Sequence, residues 1–507
     1  MATGCLLPFL PIYFRQMGLS AALVGFLLAA RGLAFLTIAP LARRYTRRLF
    51  RARLALITSL LGLMAAYLGL VFAPFQPLDK CSRGWALVHL ESNSQISCAE
   101  SFVLDGEKPE MTRPTTMNHI CNNRSEDERK TAVFATNHSL HRGNGSSTWE
   151  WVTGFVPEMF ERDDQLQVFT TALLSMTIAG AFSAVVEGVS RDALLRFVLR
   201  LNEVAGTTEL SHFDGGRMWG YVGFASGSLG ITAIVTNLDC NIAPNISRMA
   251  VHLYAFSAII VLVILLGLKY PMISSKLVMK IGGHLPLDAC VVSYTVVMFL
   301  SGFASVSAEI FLFWLLQDLG GTLFLFGIVV LLSAVCKLAF LLFARLRMFS
   351  RFSRNAMMFL ALCCISIQLF LYSVMTEAWL ALPVQVLSFL GVPVLRMVVS
   401  GGAGLPNAEL MARDRAFASI YNLGAVAGSL VAGLVASAYN FKLLFRYFSI
   451  VMATCVPLFG LLQFWGYHRR QKLHFGHLLS GQDADFDSET DDDVGKELLK
   501  ENDVQPD

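Results

Sequence analysis

The chain has 507 residues, of which 55% are hydrophobic and only 15% are charged, with a mean hydropathy of +0.56 and a net charge of +3. Soluble domains carry roughly 25% charged residues and divide beyond about 250–300 residues, so a soluble fold could not bury this much apolar surface. The small net charge gives no reason to expect a nucleic-acid partner. We therefore predict an all-α polytopic membrane protein, with the lipid bilayer as its main partner.

The first apolar segment is interpreted as a membrane span and not as a cleavable signal peptide. Residues 1–13 lack a basic n-region, contain Pro8 and Pro11, and are followed by no small-residue cleavage pattern. As a helix, residues 5–19 would cover only about 22 Å, which is less than the roughly 30 Å of hydrocarbon in a bilayer. We expect a short first span and a shortened N-terminus.

Eleven further apolar stretches are long enough to cross a bilayer as helices. They are residues 21–41, 54–74, 167–189, 217–237, 249–269, 289–314, 322–344, 356–375, 379–400, 416–438 and 443–467, numbered spans 2 to 12. With span 1 they make twelve.

Basic residues follow every even-numbered span. The clusters include Arg43, Arg44, Arg47 and Arg48 after span 2, Arg191, Arg196 and Arg200 after span 4, Lys269, Lys276 and Lys280 after span 6, Arg345, Arg347 and Arg351 after span 8, Arg413 and Arg415 after span 10, and Arg469 and Arg470 after span 12. Lys and Arg concentrate on the cytoplasmic side of membranes, so both termini are predicted to be cytoplasmic. The opposite side is called the outward side below.

The long loop between spans 3 and 4, residues 75–166, is therefore expected on the outward side. This loop and the next outward loop carry four N-x-S/T glycosylation acceptors, Asn123, Asn137, Asn144 and Asn245, and four cysteines, Cys81, Cys98, Cys121 and Cys240. Such tripeptides also occur by chance, but all four lie on the side chosen from charge alone, which favours their use. The cysteines could form one or two disulfides, and the sequence leaves all three pairings open.

Two basic loops indicate that the chain arose by duplication. Leu41-Ala-Arg43 follows span 2, and Phe343-Ala-Arg345 follows span 8, six spans later. A plain positive-inside bias would also place arginines there, but the equivalent position favours two related halves. The predicted organisation is an N-terminal six-helix half over 1–270, a cytoplasmic linker over 271–288, a C-terminal six-helix half over 289–467, and an acidic, disordered cytoplasmic tail over 468–507.

Several segments resemble a known family. Ala39-Pro-Leu-Ala-Arg-Arg-Tyr-Thr-Arg-Arg48 is similar to the major facilitator loop signature G-x-L-A-D-x-x-G-R-R, but it lacks the glycines and has Arg43 in place of the aspartate. Pro8-Phe-Leu-Pro-Ile-Tyr-Phe-Arg-Gln-Met-Gly-Leu19 and Phe311-Leu-Phe-Trp314 resemble the domain-containing protein 6 group of the major facilitator superfamily, and Phe475-Gly-His-Leu-Leu-Ser480 resembles its 6-like branch. The resemblance implies the major facilitator fold, with two six-helix bundles, and a place among transporters whose substrates are mostly unassigned.

Ionisable side chains inside a bilayer are costly unless paired or hydrated, so they are the best indicators of function. Glu309 in span 7 and Lys337 in span 8 are too far from either interface to snorkel easily, and we predict that they face a cavity. There Glu309 could bind and release a proton and so couple transport to a gradient. Arg396 in span 10 is a further candidate, although it is close enough to the interface to snorkel. Gln385 and Trp314 could orient a solute, but such side chains as often bond between helices.

Two other motifs suggest gating or packing. Asp214-Gly-Gly-Arg217 resembles the opening of helix 5 in the permease branch of the superfamily, where it is a packing and gating element; an i,i+3 ion pair is the alternative. Gly424 and Gly428 place small residues on one stripe of span 11, which would let another helix approach closely.

The leading functional prediction is a secondary transporter of an unassigned small solute that works by alternating access. The alternative is a transporter fold used as a receptor or scaffold, with a protein partner bound at the glycosylated loop 75–166. We find no motif for an enzyme, a cofactor or a metal, and we expect none of the three. The substrate, the coupling ion and the choice between plasma membrane and endomembrane are open.

Overall fold

The computed structural model describes residues 1–46, 49–72, 163–205, 211–238, 241–243, 246–268, 289–343, 353–400, 407–465 and 468. The predicted linker, the tail beyond residue 468 and the outward loop up to residue 162 lie outside the described residues. So do the four glycosylation acceptors and the four outward cysteines. These features, and the receptor hypothesis that depends on the loop, stay predictions.

Eleven helices within the described residues are long and apolar enough to cross a membrane, and they coincide with predicted spans 2 to 12. Apart from span 10, their bounds are Ala21–Tyr45, Leu49–Gly69, Asp163–Ala205, Ser211–Thr236, Ala250–Leu268, Ala289–Asp318, Leu323–Phe343, Arg354–Val374, Asn407–Ala438 and Phe441–Trp465. Span 4 departs most from its prediction, because its 43-residue helix continues into polar sequence. An i,i+4 ion pair between Glu187 and Arg191 supports that extension.

Span 1 is short and broken. It consists of two helices, Ala2–Leu6 and Leu10–Gln16, joined by the 3-10 turn Leu7–Phe9. Pro8 and Pro11 explain the break, because proline has no N–H to donate to the preceding turn of a helix.

Span 10 is also broken, so the prediction of one continuous helix over 379–400 is wrong. It runs through the 3-10 turn Ala378–Leu380, the helix Ala381–Gln385, the 3-10 turn Val386–Phe389 and the helix Val392–Ser400. Pro393 cannot donate to the carbonyl of Phe389 four residues earlier, so the regular bonding pattern stops there.

A small hairpin precedes span 6. Its strands, Asn241–Ala243 and Ile246–Ser247, pair antiparallel with Asn241 opposite Ser247 and Ala243 opposite Ile246. The otherwise helical chain thus uses sheet pairing only in a short connection among its described residues.

The turns after spans 1 and 7 have the same structure. Gly18 (φ +79°) and Gly320 (φ +77°) both adopt the left-handed conformation that glycine tolerates best, and the amide of each donates to the carbonyl three residues earlier at 3.1 Å. Ser20 and Thr322 then cap the following spans by accepting the N–H three residues further on, at 3.4 and 3.3 Å. The two glycines are 302 residues apart, and so are the two capping residues. The Leu-Ala-Arg and Phe-Ala-Arg motifs of the basic loops have the same separation. A duplicated half would produce this correspondence.

Among the described residues, the main contacts between the two halves involve three pairs of spans. Span 2 packs against span 11, span 5 against span 8, and the second segment of span 1 against span 7. Spans 2 and 11 approach so closely that a Cβ on Gly25 would lie 2.8 Å from the Cα of Gly433. Span 2 also packs on span 4, and span 7 on span 11. Span 7, which carries Glu309, and span 8, which carries Lys337, each pack against a span of the first half.

The outer surface is apolar. On span 6, Leu262, Leu265 and Leu266 are 59%, 55% and 71% exposed. Water would disfavour such a row of leucines, so this face suits lipid.

Candidate functional site

The two charges predicted inside the membrane lie together in the structure. Lys337 Nζ is 3.3 Å from Glu309 Oε1, which forms an ion pair between spans 8 and 7. The Glu309 side chain is 64% exposed and that of Lys337 is 24% exposed, so the pair opens onto free space and is not sealed in a core. Pairing reduces the cost of holding either charge away from water.

An uncharged hydrogen-bond network lies beside this ion pair. Gln368 Nε2 in span 9 donates to the Tyr372 hydroxyl at 2.9 Å and to Ser388 Oγ at 3.0 Å. The Tyr372 hydroxyl donates to Gln385 Oε1 at 2.5 Å. Tyr372, Gln385 and Ser388 are buried, so the network fixes the carboxamide groups of spans 9 and 10. Gln385 therefore bonds between helices in this conformation.

The ion pair and the network line one small cavity in the second half. Its volume is about 50 Å³, and its walls come from spans 7, 8, 9 and 10. Since one water molecule needs roughly 10–15 Å³ by this measure, the cavity has room for about three to five waters. Ser305 Oγ also lines it and is buried with no hydrogen-bond partner among the described residues. A solute of metabolite size would require the surrounding spans to move apart.

Arg396 does not join the ion pair. Its Cζ lies 5.2 Å from the centroid of the Tyr421 ring, a cation–π contact between spans 10 and 11. Arg396 is exposed, whereas Tyr421 is buried.

Trp314 lies outside the cavity, at an outward contact between the halves. Its Nε1 donates to the Pro11 carbonyl at 2.9 Å, and its ring centroid is 4.9 Å from Arg15 Cζ. Arg15 also pairs with Asp318 at 2.6 Å, and its Nη1 donates to the Trp314 carbonyl and to Gln317 Oε1, each at 3.2 Å. These five residues, Pro11, Arg15, Trp314, Gln317 and Asp318, are called the outward clasp. In this conformation Trp314 holds span 1 to span 7.

A second contact joins the halves at the opposite ends of the spans, near the predicted cytoplasmic ends of spans 4 and 11. Arg415 Nη2 lies 3.1 Å from Asp192 Oδ1, with side chains that are 18% and 28% exposed. We call this pair the inward clasp. Arg43, which stands where the loop signature has aspartate, is within electrostatic range of both residues. The loop signature would supply an aspartate from the loop after span 2. Here the carboxylate near Arg43 that pairs with Arg415 is Asp192 of span 4.

The two motifs assigned to gating or packing have different outcomes. Asp214 and Arg217 lie in the helix Ser211–Thr236, but their side chains are outside the described part of the structure, so their role stays a prediction. On span 11, a Cβ at Gly424 would lie 2.0 Å from the Phe299 carbonyl oxygen. One at Gly428 would lie 2.1 Å from that of Phe303. The small-residue stripe thus packs directly on the backbone of span 7, which carries Glu309.

Several residues of the site were not predicted. Gln368, Tyr372 and Ser388 are uncharged residues in apolar spans, and no spacing distinguishes them from packing residues. Asp192 resembles an ordinary charge at a helix end. Arg31 could have been predicted, because it is a charged residue in the middle of span 2. Glu309 was chosen for the same reason, its distance from both membrane interfaces.

Comparison with known proteins identifies the family of this chain. The family model described as the MFS_1 like family matches residues 1–447. The major facilitator superfamily domain-containing protein 6-like of Danio rerio is 27% identical over 510 residues, covering 96% of this chain and 90% of the relative. The 6-like protein A of Xenopus laevis is 24% identical, covering 98% and 93%. The crystal structure of the nucleoside transporter NupG aligns with 91% of this chain and 95% of that chain, at 13% identity and a TM-score of 0.56.

These similarities confirm the predicted all-α major facilitator fold and the resemblance to the domain-containing protein 6 group. They agree with a membrane transport protein and not with an enzyme. The chain belongs to the MFS_1 like family and is a multi-pass membrane protein of the major facilitator fold.

Proposed function

We propose that the chain is a secondary transporter that moves a small solute by alternating access, with the Glu309–Lys337 pair as its coupling site. The observation that supports this most is the pair itself, two opposite charges 3.3 Å apart inside the spanning region and beside a polar cavity. Ionisable groups at such depth are expensive, and they characteristically mark ion and substrate pathways. Family membership and the two-bundle fold support the same function.

The two clasps supply the alternation. The outward clasp joins span 1 to span 7, and the inward clasp joins span 4 to span 11, so each connects one half to the other at opposite ends. Breaking one clasp while the other holds would expose the centre to one side at a time. Rocking of two bundles about a central site is the usual motion of this architecture.

Proton coupling would act through Glu309. A proton on its carboxylate removes the negative charge that holds Lys337 at 3.3 Å, and the ammonium is then free to change partner. Loss of the pair would release span 8 from span 7 at the cavity wall. The cycle would therefore link the protonation of one residue to the shape of the site.

Solute contacts would come from the uncharged part of the cavity. Ser305 offers a hydroxyl with no described partner, and Gln368, Gln385 and Ser388 offer carboxamide and hydroxyl groups. These groups include both donors and acceptors, as recognition of a polar solute requires.

An untargeted metabolite comparison tests the function. Metabolites would be compared in cells that express the chain and in cells that do not, and those that change would be measured for uptake into proteoliposomes at several pH values. We expect Glu309→Gln to abolish the pH dependence of uptake, because glutamine has nearly the same shape but cannot bind a proton. Glu377→Gln, an exposed position between spans 9 and 10, is the matched control and should behave as wild type.

Misfolding is separated from loss of coupling by a double variant. Glu309→Gln alone leaves Lys337 without its carboxylate, whereas Glu309→Gln combined with Lys337→Gln removes both charges and should restore thermal stability without restoring pH dependence. Unchanged pH-dependent uptake in the single variant would contradict the assigned coupling site. The absence of any metabolite difference with the wild-type chain would contradict transport.

A further inference from the structure

Arg31 is a cation in the middle of span 2. It lies ten residues after Ala21, about 15 Å from the outward end of the helix, and about 21 Å from the other end at Tyr45. Even a fully extended arginine side chain cannot easily reach either interface from this depth. Its charge must therefore be accommodated within the protein.

The backbone around Arg31 lies where both halves meet. A Cβ on Gly180 of span 4 would be 2.2 Å from the Arg31 carbonyl oxygen, and a Cβ on Gly32 would be 2.6 Å from Val426 Cγ2 of span 11. Val426 is itself near the middle of its span, about 16 Å from Arg415 and about 18 Å from Ala438. Arg31 thus lies midway between the membrane surfaces, with its backbone against span 4 and the next residue against span 11 of the other half.

The Arg31 side chain has no counter-charge among the residues that the structure describes. Arg31 Nε is buried with no hydrogen-bond partner among the described residues. The ion pairs in the described part of the chain join Arg15 to Asp318, Arg191 to Glu187, Lys337 to Glu309 and Arg415 to Asp192, and Arg31 takes part in none of them. Span 4 packs against span 2, but its carboxylates Glu187 and Asp192 are already paired with Arg191 and Arg415.

On the basis of the transport function proposed above, we propose that Arg31 binds the anionic group of the transported solute, so that the solute is an organic anion with a carboxylate or phosphate group. A guanidinium keeps its charge at all physiological pH values and presents donors in a planar fork that matches both groups. An unpaired cation at this depth is unfavourable, and a bound anion would compensate it. The solute would then bind next to the contact between the two halves, because Gly32, the residue after Arg31, packs against Val426 of span 11.

The charge class of the solute tests this assignment. The metabolites that change on expression of the wild-type chain would be sorted by charge and compared with those that change on expression of Arg31→Gln. We expect the wild-type set to contain carboxylates or phosphates, and uptake of these into proteoliposomes to weaken at least about tenfold in Arg31→Gln. Arg446→Gln, which removes an exposed arginine from span 12, is the matched control and should keep wild-type uptake.

Thermal unfolding of the purified full chain without added solute gives a second readout. An arginine held unpaired for a ligand destabilises the free protein, so Arg31→Met should leave the unfolding midpoint unchanged or raise it. A structural arginine with protein partners would give a lower midpoint on the same substitution.

Three results would overturn the assignment. The first is a transported solute that is neutral or cationic, which leaves the transport function itself intact. The second is anion uptake that Arg31→Gln does not weaken. The third is a marked fall in the unfolding midpoint of Arg31→Met. If the wild-type chain changes no metabolite, the transport function and the Arg31 assignment fail together. A metabolite change that persists undiminished in Arg31→Gln removes only the Arg31 assignment.

Discussion

Replacing Arg15 by alanine should shift the protein toward a conformation that is open on the outward side. Arg15 extends from span 1 in the first half to Trp314, Gln317 and Asp318 near the end of span 7 in the second half. Alanine removes all of these contacts and adds no bulk. The inward clasp is untouched, so the halves lose contact at one end only.

The size of the shift follows from the contacts that are lost. The ion pair with Asp318 has side chains that are 31% and 41% exposed, so solvent screening leaves about 0.5–1 kcal/mol. The cation–π contact with Trp314 adds about 0.5–1 kcal/mol. The two hydrogen bonds are long, at 3.2 Å, and together add about 1 kcal/mol. The total of about 2–3 kcal/mol corresponds to a roughly 30- to 150-fold change in the ratio of closed to open protein.

Electron–electron distance measurements would detect this change. Spin labels would be attached to cysteines introduced at Phe72 and Asn440, in a background without the native cysteines. Phe72 is 85% exposed after span 3, and Asn440 is exposed between spans 11 and 12, so the labels report the outward separation of the halves. We expect a longer distance to appear in Arg15→Ala.

Asp318→Asn is the graded control, because it removes the ion pair and keeps the cation–π contact. It should change the ratio only a few-fold, by about 0.5–1 kcal/mol. An unchanged distance distribution in Arg15→Ala, or a shorter distance, would refute the idea that this clasp keeps the outward side closed.

Three further substitutions have definite expected outcomes. Asp192→Asn should weaken the ion pair with Arg415 by about 1–2 kcal/mol and increase the reactivity of cysteines introduced at the cytoplasmic ends of the spans, an effect opposite in direction to that of Arg15→Ala. Gly428→Leu should lower the thermal unfolding midpoint by overpacking the contact with span 7, at a cost of about 1–3 kcal/mol or more, whereas Gly267→Leu, with nothing within 4 Å of an added Cβ, should be tolerated. Trp314→Phe loses the buried hydrogen bond to span 1 and should give a smaller outward opening than Arg15→Ala, worth about 1–2 kcal/mol in the same distance measurement.

Much of the fold could be predicted because it depends on local properties of the chain. A run of about twenty apolar residues is enough to identify a span, since a bilayer requires backbone groups to be bonded within the segment. Breaks inside spans were harder to place, although proline gave a local signal. Pro8 and Pro11 of span 1 were weighed only against a signal peptide, while Pro393 was overlooked in span 10 because the apolar run continues through it.

The candidate site was predictable only where a charge stood out against apolar neighbours. Glu309 and Lys337 met that condition, but their sequence separation of 28 residues carries no information about a shared cavity. Gln385 was singled out as a polar side chain, but Gln368 and Tyr372, which complete its network, gave no signal, because a neutral polar residue costs far less in a helix than a charge.

The sequence alone determined that the chain has eleven segments able to cross a membrane, with a short first segment as a predicted twelfth, that it resembles a major facilitator, and that two charges lie deep in its second half. These follow from hydropathy, from the placement of arginines and from short motifs, all of which act within one segment. Only the tertiary structure decided which charges have partners. The fold brings Arg15 to Asp318, about 300 positions away, and Lys337 of span 8 to Glu309 of span 7, whereas no described carboxylate pairs with Arg31. Long-range packing sets those distances, and no local pattern in the chain encodes them.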